Sequence, residues 1–350
     1  MMNALPMQMS GVLLTGHGGF EKLEFRDDIP TPAPGPGDVV VRVRAAGVNN
    51  TDINTRAGWY SKGDADAADA GWNGHALALP RIQGADVCGT IAAVGDGVDA
   101  SRIGERVIIE PCLVEANGER LQSPWYFGSE CDGGFAQYTR VASRHAYKIE
   151  SDLTDIELAS FPCSYSTAEN MLTRARAGTG ETVLVTGASG GVGSAAVQLA
   201  KVRGATVIAV TSPSKADMLQ RLGADLIVAR DESYIDSIGP SSVDVVIDLV
   251  AGALWPSLLD VLRPHGRYAV AGAIAGPMVE LDVRTLYLKD LTFFGCTVLG
   301  GGVFGHLVTC IEQGRVKPLV AATYPLQNIA AAQTEFEKKG HIGKIVLSVA

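Results

Sequence analysis

Several marks of large protein classes are missing from this chain of 350 residues. It has no CxxC pair, and its six cysteines (Cys88, Cys112, Cys131, Cys163, Cys296 and Cys310) are scattered. Paired-cysteine metal and redox motifs are therefore excluded, and a chain of this length needs no disulfide staple, so reduced thiols in the cytoplasm are expected. Basic residues are in the minority, 29 Lys and Arg against 38 Asp and Glu, with a formal net charge of −9 and no basic cluster. That argues against nucleic acid and anionic membranes as partners. The opening MMNALPMQMSG has no basic stretch leading into an apolar one, so no signal peptide is expected. The stretch Leu291–Ile311 is uncharged and long enough to span a membrane, but glycines and His306 interrupt it. A strand, a loop and a helix are expected there instead.

What is present is apolar and rich in glycine. Hydrophobic residues make up 47% and charged residues 19%, enough to bury a sizeable core in about two domains. Residues 1–150 read mostly as strands and turns. Val39–Val48 alternates apolar and polar side chains and is expected to end in a loop. Ser61–Ala78 is rich in Asp, Ala and Gly and reads as a solvated loop or as a lid over a nearby site. From about residue 152 helix and strand alternate, with helices expected at Asp155–Phe161 and Ser166–Ala175. This rhythm predicts a parallel sheet covered by helices on both faces. The segment from Val303 onward is expected to return to the first domain.

The strongest chemical signal is Glu181–Gly204, ETVLVTGASGGVGSAAVQLAKVRG: a strand, a glycine turn and a helix. Gly187, Ala188, Ser189, Gly190, Gly191, Val192 and Gly193 form the turn. Small residues there let the backbone approach a pyrophosphate, and free N–H groups at the helix start favour negative charge. The next strand ends in ATVIAVTSPSK, with Thr211 and Ser212 where an NAD site usually holds an acid; the first acid is Asp217. Ser212, Ser214 and Lys215 instead suit a 2′-phosphate, which points to NADPH. Ser212 also reads as an N-cap followed by Pro213, and the two roles are compatible.

Segments spread along the chain, AAGVNNTDINTRAGWY, QGADVCGTIAAVGDGV, GERVI, GGFAQY, the glycine turn, KDLTFFGCTVLG and GKIVL, resemble the medium-chain dehydrogenase/reductase superfamily. The resemblance implies an α/β chain with two parts. A GroES-like β-rich catalytic domain would span residues 1–160, completed by 303–350. A Rossmann doubly wound parallel-sheet domain that binds NADP would span 161–302. It also implies an active site in a cleft between the two and homodimers joined through the Rossmann sheets.

Alcohol dehydrogenases of this superfamily hold a catalytic zinc with Cys, His and Cys. Those places here carry Asn49, Ala85 and Cys163. An amide and a methyl group do not replace a thiolate and an imidazole at zinc. The chain therefore resembles the zinc-free, quinone oxidoreductase-like branch. The implied reaction is hydride transfer from NADPH to a small electrophile, a quinone or an α,β-unsaturated carbonyl. Two alternatives remain: an alcohol dehydrogenase-like enzyme with an improvised metal site at Asp86 and Cys163, or an inactive NADPH-binding protein.

By resemblance, Asn49 lies beside the nicotinamide as a donor to substrate oxygen, or is a loop amide bonding its own backbone. Tyr60 is a proton or hydrogen-bond donor to the developing oxyanion, or a half-buried packing residue. Thr51 and Asp52 share the Asn49 turn, with Asp52 read as structural. Thr167, Val250, Ala271, Gly272, Phe294, Gly295 and Cys296 are expected along the cofactor. Lys344 is expected to reach a cofactor phosphate, the alternative being a place in solvent.

Overall fold

The computed structural model describes residues 5–62, 71–72 and 74–350. Residues 63–70 and 73 of the Ser61–Ala78 loop, read above as a surface loop or lid, lie outside the described residues. In chain order the strands and α-helices are β1 (Gln8–Leu14), β2 (Leu23–Pro30), β3 (Asp38–Val48), α1 (Asn50–Ala57), β4 (Arg81–Ile82), β5 (Asp86–Val94), β6 (Arg106–Ile109), β7 (Cys112–Ala116), β8 (Glu119–Tyr126), β9 (Tyr138–Ala142), β10 (Ala146–Lys148) and α2 (Asp155–Leu158). Helix and strand then alternate through α3 (Pro162–Arg174), β11 (Thr182–Val185), α4 (Gly191–Val202), β12 (Thr206–Thr211), α5 (Ala216–Arg221), β13 (Leu226–Ala229), α6 (Tyr234–Ile238) and β14 (Val243–Asp248). There follow α7 (Trp255–Val261), β15 (Leu262–Val270), α8 (Val283–Leu288), β16 (Thr292–Gly295), α9 (Val303–Glu312), β17 (Val320–Pro325), α10 (Ile329–Glu337) and β18 (Lys344–Ser348).

The chain forms two compact units. The first comprises Met1–Cys163 and Pro318–Ala350, the second Ser164–Lys317. In the first, a seven-stranded sheet runs β10-β6-β5-β3-β18-β17, with β9 on β3. Strand β3 shows why: Val41, Val43 and Ala45 are buried while Arg42 and Arg44 between them face water. The core joins Val39, Val41, Val87 and Ile109 to Ile345 and Leu347 of β18 and to Ile329 and Phe336 of α10. The sheet thus needs strands from both ends of the numbering.

In the second unit the sheet order is β13-β12-β11-β14-β15-β16, and every neighbouring pair is parallel. Strand β14 is buried at all six positions, as expected of a strand covered on both faces. The order reverses between β11 and β14, and in such sheets ligands bind beyond the carboxyl ends of the strands at that point.

Three expectations need correction. The segment after Val48 is a short helix, not a loop. The helix expected at Ser166 begins four residues earlier, at Pro162, where proline's fixed φ suits a first turn. The return to the first unit comes at residue 318, not 303. Helix α9 buries Val303, Phe304, Leu307 and Ile311 within the second unit, and its His306 bonds Glu169 of α3 at 2.8 Å. Lys317 is tied there as well: Gln198 accepts from its N–H at 2.8 Å and Tyr165 donates to its carbonyl at 2.6 Å. Leu291–Ile311 is a strand, a loop and a helix, and no helix among the described residues is long and apolar enough to cross a membrane.

Candidate functional site

In the first unit the site residues gather where β3 runs into α1. Asn49 keeps an extended backbone (φ −130°, ψ 163°), and its N–H donates to the Asp52 carboxylate at 2.8 Å. Gly58 ends the helix in the left-handed region at φ +72°. Asn49 and Tyr60 therefore flank α1 at opposite ends. The sequence concealed this helix because Asn, Thr and Asp are weak helix formers; Asn49, Asp52 and Gly58 were the available signals.

Asn49 is bound at both ends of its amide. Its Nδ2 donates to Asp86 Oδ2 at 2.9 Å, and its Oδ1 accepts from Lys344 Nζ at 2.5 Å. Lys344 also pairs with Asp86 at 2.7 Å, and Asp86 Oδ1 accepts from the Cys163 N–H at 2.5 Å. Asp86 and Lys344 are fully buried, so the solvent alternative for Lys344 does not hold. Asp52 lies beneath, also accepting from the Gly84 N–H at 3.2 Å. Burial pushes the Asp52 carboxyl up to about 7; the Asn49 N–H and the Lys344 ammonium oppose that shift, and the nearby Asp86 adds to it.

Beside this network is an aromatic and sulfur cluster that the sequence reading did not assemble. Tyr126 Oη lies 2.9 Å from Cys163 Sγ, and Trp72 stacks on the Tyr126 ring at 5.0 Å. Ala85 belongs to the same buried cluster as Tyr126 and Cys163. Burial, with the Asp86 charge adding, pushes the Cys163 thiol up to about 12, and burial also raises Tyr126 well above its ordinary value. Tyr60 Oη donates to Thr51 Oγ1 at 3.3 Å, and burial raises its pKa too.

This is the place where the related alcohol dehydrogenases would hold zinc, and the donors do not fit a metal. Asn49 is bound to Asp86 and Lys344, residue 85 ends in a methyl group, and the Cys163 thiol is held protonated beside Tyr126. A buried ammonium 2.7 Å from Asp86 supplies the positive charge. Among the described residues no three His, Cys, Asp or Glu side chains are grouped as a metal set.

In the second unit the glycine turn has the close approach expected of it. Gly187 has φ +56°, and a Cβ on Gly193 would lie 2.2 Å from the Gly187 carbonyl oxygen. Gly190 caps α4 from an exposed position, and Ser189, Gly191 and Val192 are half-buried around it. Ala188 is buried, its N–H donating to the Val210 carbonyl at 3.2 Å. This cradle, closed by glycine and opening a 12-residue helix, fits a pyrophosphate.

Asp248, at the end of β14, organises the point where strand order reverses. It accepts from Thr186 Oγ1 at 2.6 Å, from the Val250 N–H at 2.9 Å and from Tyr268 Oη at 2.5 Å. These bonds set the turn through Val250 and Ala251. The sequence points to Val250 but not to its organiser; the acid that ends the run VDVVID was the available signal. Ala271 and Gly272 leave β15 nearby, where a Cβ on Gly272 would meet the Leu249 carbonyl at 2.9 Å. On β16 Phe294 is half-buried and Cys296 is buried just beyond, while a Cβ on Gly295 would meet nothing within 4 Å. Thr167 is half-buried on α3. Ser212 precedes a short turn of helix led by Pro213, its hydroxyl 3.3 Å from that of Ser214, and Lys215 follows, half-buried. The Thr211 hydroxyl is buried with no hydrogen-bond partner among the described residues.

Residues 35–151 match the family model of the alcohol dehydrogenase GroES-like domain, and residues 191–313 match that of the zinc-binding dehydrogenases. A quinone oxidoreductase of Rattus norvegicus is 31% identical over 97% of each chain. A solved structure from Sinorhizobium meliloti, described provisionally as an alcohol dehydrogenase, is 47% identical, covers 100% of this chain and 99% of its own, and superposes with a TM-score of 0.93. A thermostable alcohol dehydrogenase from Pyrobaculum aerophilum is 31% identical over 97% of this chain and 99% of its own, with a TM-score of 0.82. With both domain types matched and the glycine cradle in place, the chain belongs to the medium-chain dehydrogenase/reductase superfamily, in its quinone oxidoreductase-like branch, and is an oxidoreductase.

Proposed function

We propose that this oxidoreductase works without zinc and transfers hydride from NADPH to a quinone or to an alkene activated by a conjugated carbonyl. The observation that carries this reading is the Asn49–Asp86–Lys344 network at the place of the family's metal. An internal ammonium already balances the buried charge there, and among the described residues no group of side chains is left as a ligand set. Without a Lewis acid, a saturated ketone or an alcohol lacks polarisation, so a substrate that is already electron-poor is favoured. NADPH rather than NADH is supported by Ser212, Ser214 and Lys215 in the place of an acid.

When bound, a reduced nicotinamide supplies the hydride. The glycine turn from Gly187 to Gly193 holds the pyrophosphate. Thr167, Val250, Ala271, Gly272, Phe294, Gly295 and Cys296 line the path of the remaining cofactor. Hydride addition to a conjugated carbonyl puts negative charge on its oxygen. Tyr60, kept protonated by burial, turns its single O–H away from Thr51 Oγ1 to donate a hydrogen bond to that oxygen. Asn49 acts from behind, holding the start of α1 in place through Asp86 and Lys344, and Lys344 is a positioning residue rather than a phosphate ligand. The six scattered cysteines, with no CxxC pair, suit a reducing compartment such as the cytoplasm. A homodimer is supported by the apolar side chains that the second unit exposes, Met278, Leu288 and Ile274 among them.

The test is oxidation of NADPH and NADH by EDTA-treated enzyme against a para-quinone, a conjugated enone and a saturated aldehyde. Turnover of quinone or enone with NADPH preferred, and none of the aldehyde, is expected. Activity that appears only after zinc is restored, or only with the aldehyde, overturns the proposal.

A further inference from the structure

We propose that Arg230, at the end of β13, is the residue by which this chain selects a dinucleotide carrying a 2′-phosphate, closing a cradle formed with Lys215, Ser212 and Ser214. The inference rests on the NADPH reading above and adds to it a guanidinium from a different strand. In the parallel register of β12 and β13, Thr211 stands opposite Ala229. The next N–H, that of Arg230, donates to the Thr211 carbonyl at 3.0 Å. The backbone of Arg230 is thereby fixed one residue from Ser212, while its side chain is exposed.

Two cations then share one strand end. Burial lowers the Lys215 pKa, and the Arg230 charge lowers it further, so the two groups lie within electrostatic reach. Two cations at one strand end favour a doubly charged anion. A phosphate monoester dianion answers both, and it also offers acceptor oxygens to the Ser212 and Ser214 hydroxyls. The guanidinium adds a planar fork that matches two phosphate oxygens, which an ammonium does not provide. The acids nearby do not replace the missing ribose carboxylate: Glu232 accepts from the Ala229 N–H at 3.4 Å and from the Ser237 hydroxyl at 3.3 Å, while Asp217 and Asp231 are exposed to water.

The experiment measures dissociation constants of NADPH and NADH by fluorescence titration, with no substrate present, for the unaltered chain and for R230A, R230K and K215A. Circular dichroism checks that each variant is folded. R230A is expected to weaken NADPH binding about 10- to 100-fold, the loss of a charged hydrogen-bonded contact, with NADH within about twofold. R230K is expected to recover part of the loss, and adenosine 2′,5′-bisphosphate is expected to compete less well against R230A. An unaltered chain that prefers NADPH, with R230A showing the same preference, overturns the role of Arg230 and leaves the NADPH reading standing. An unaltered chain that binds NADH as tightly as NADPH overturns both.

Discussion

Lys344 shows how much a single side chain settles here. It is fully buried, and its ammonium contacts both Asp86 and Asn49. Removing one partner of a buried pair leaves the other charge without compensation, at about 3–5 kcal/mol. K344M is therefore expected to lose stability of that order in urea unfolding, and K344M/D86N to recover much of it; equal losses in both would show that the pair is not coupled. Asp52 carries a pH signature. Its carboxyl holds a proton up to about pH 7 in the folded chain, against an ordinary value of 3.8. Between those limits the folded state binds more protons than the unfolded one, so stability falls as pH rises through the window, by about 1.4 kcal/mol per unit for this one group. D52N is expected to flatten that part of the profile while shifting the whole curve; an unchanged slope would place the titration elsewhere. The sequence exposed the types of these residues but not their pairings. Lys344 lies 295 positions from Asn49, and nothing local marks the one as the other's partner. Tyr126 escaped notice for the same reason, its Cys163 partner lying 37 positions away.

The glycine cradle was legible as an element, because strand, turn and helix are contiguous and each small residue has a local cause. Its glycines are not equivalent. G193A would drive a methyl group into the Gly187 carbonyl, with only 2.2 Å available, whereas G295A meets nothing within 4 Å. G193A is expected to lower the melting temperature and abolish cofactor binding together. G295A is expected to leave the melting temperature unchanged and to weaken binding only through the ligand. Equal stability losses in the two variants would contradict that distinction. Helix α1 was the opposite case. Its weak helix formers are held by Asp52 at one end and Gly58 at the other, and by the Arg56 side chain, which donates to Gln333 at 2.9 Å and pairs with Glu337 at 2.8 Å. Packing from a distant segment overrides local propensity there.

At the scale of the whole molecule, alternation and apolar runs announced the six-stranded sheet, while the limits of the two units depended on contacts that no local pattern carries. Helix α9 looks the same in sequence whichever unit it joins. The second unit exposes Met278 (87%), Leu288 (72%) and Ile274 (61%), and β16 has a strand partner on one side only. A two-fold copy would set the two β16 edges together and cover these side chains. Sedimentation is expected to show a dimer, and M278E/L288E a monomer; an unaltered chain that sediments as a monomer would remove the proposal. The position of β18 between β3 and β17 has a further consequence, for the order of events during synthesis. Residues 164–317 are contiguous and emerge as a complete folding unit, while the first sheet still lacks β17 and β18, the two strands that complete it beside β3. Until β18 arrives, Asp86 has no Lys344 ammonium beside it and the Ala45–Val48 end of β3 lacks its partner. Ribosome-bound chains halted after residue 317 should therefore protect the nucleotide-binding half from protease while the half carrying Asn49 and Tyr60 is still cut.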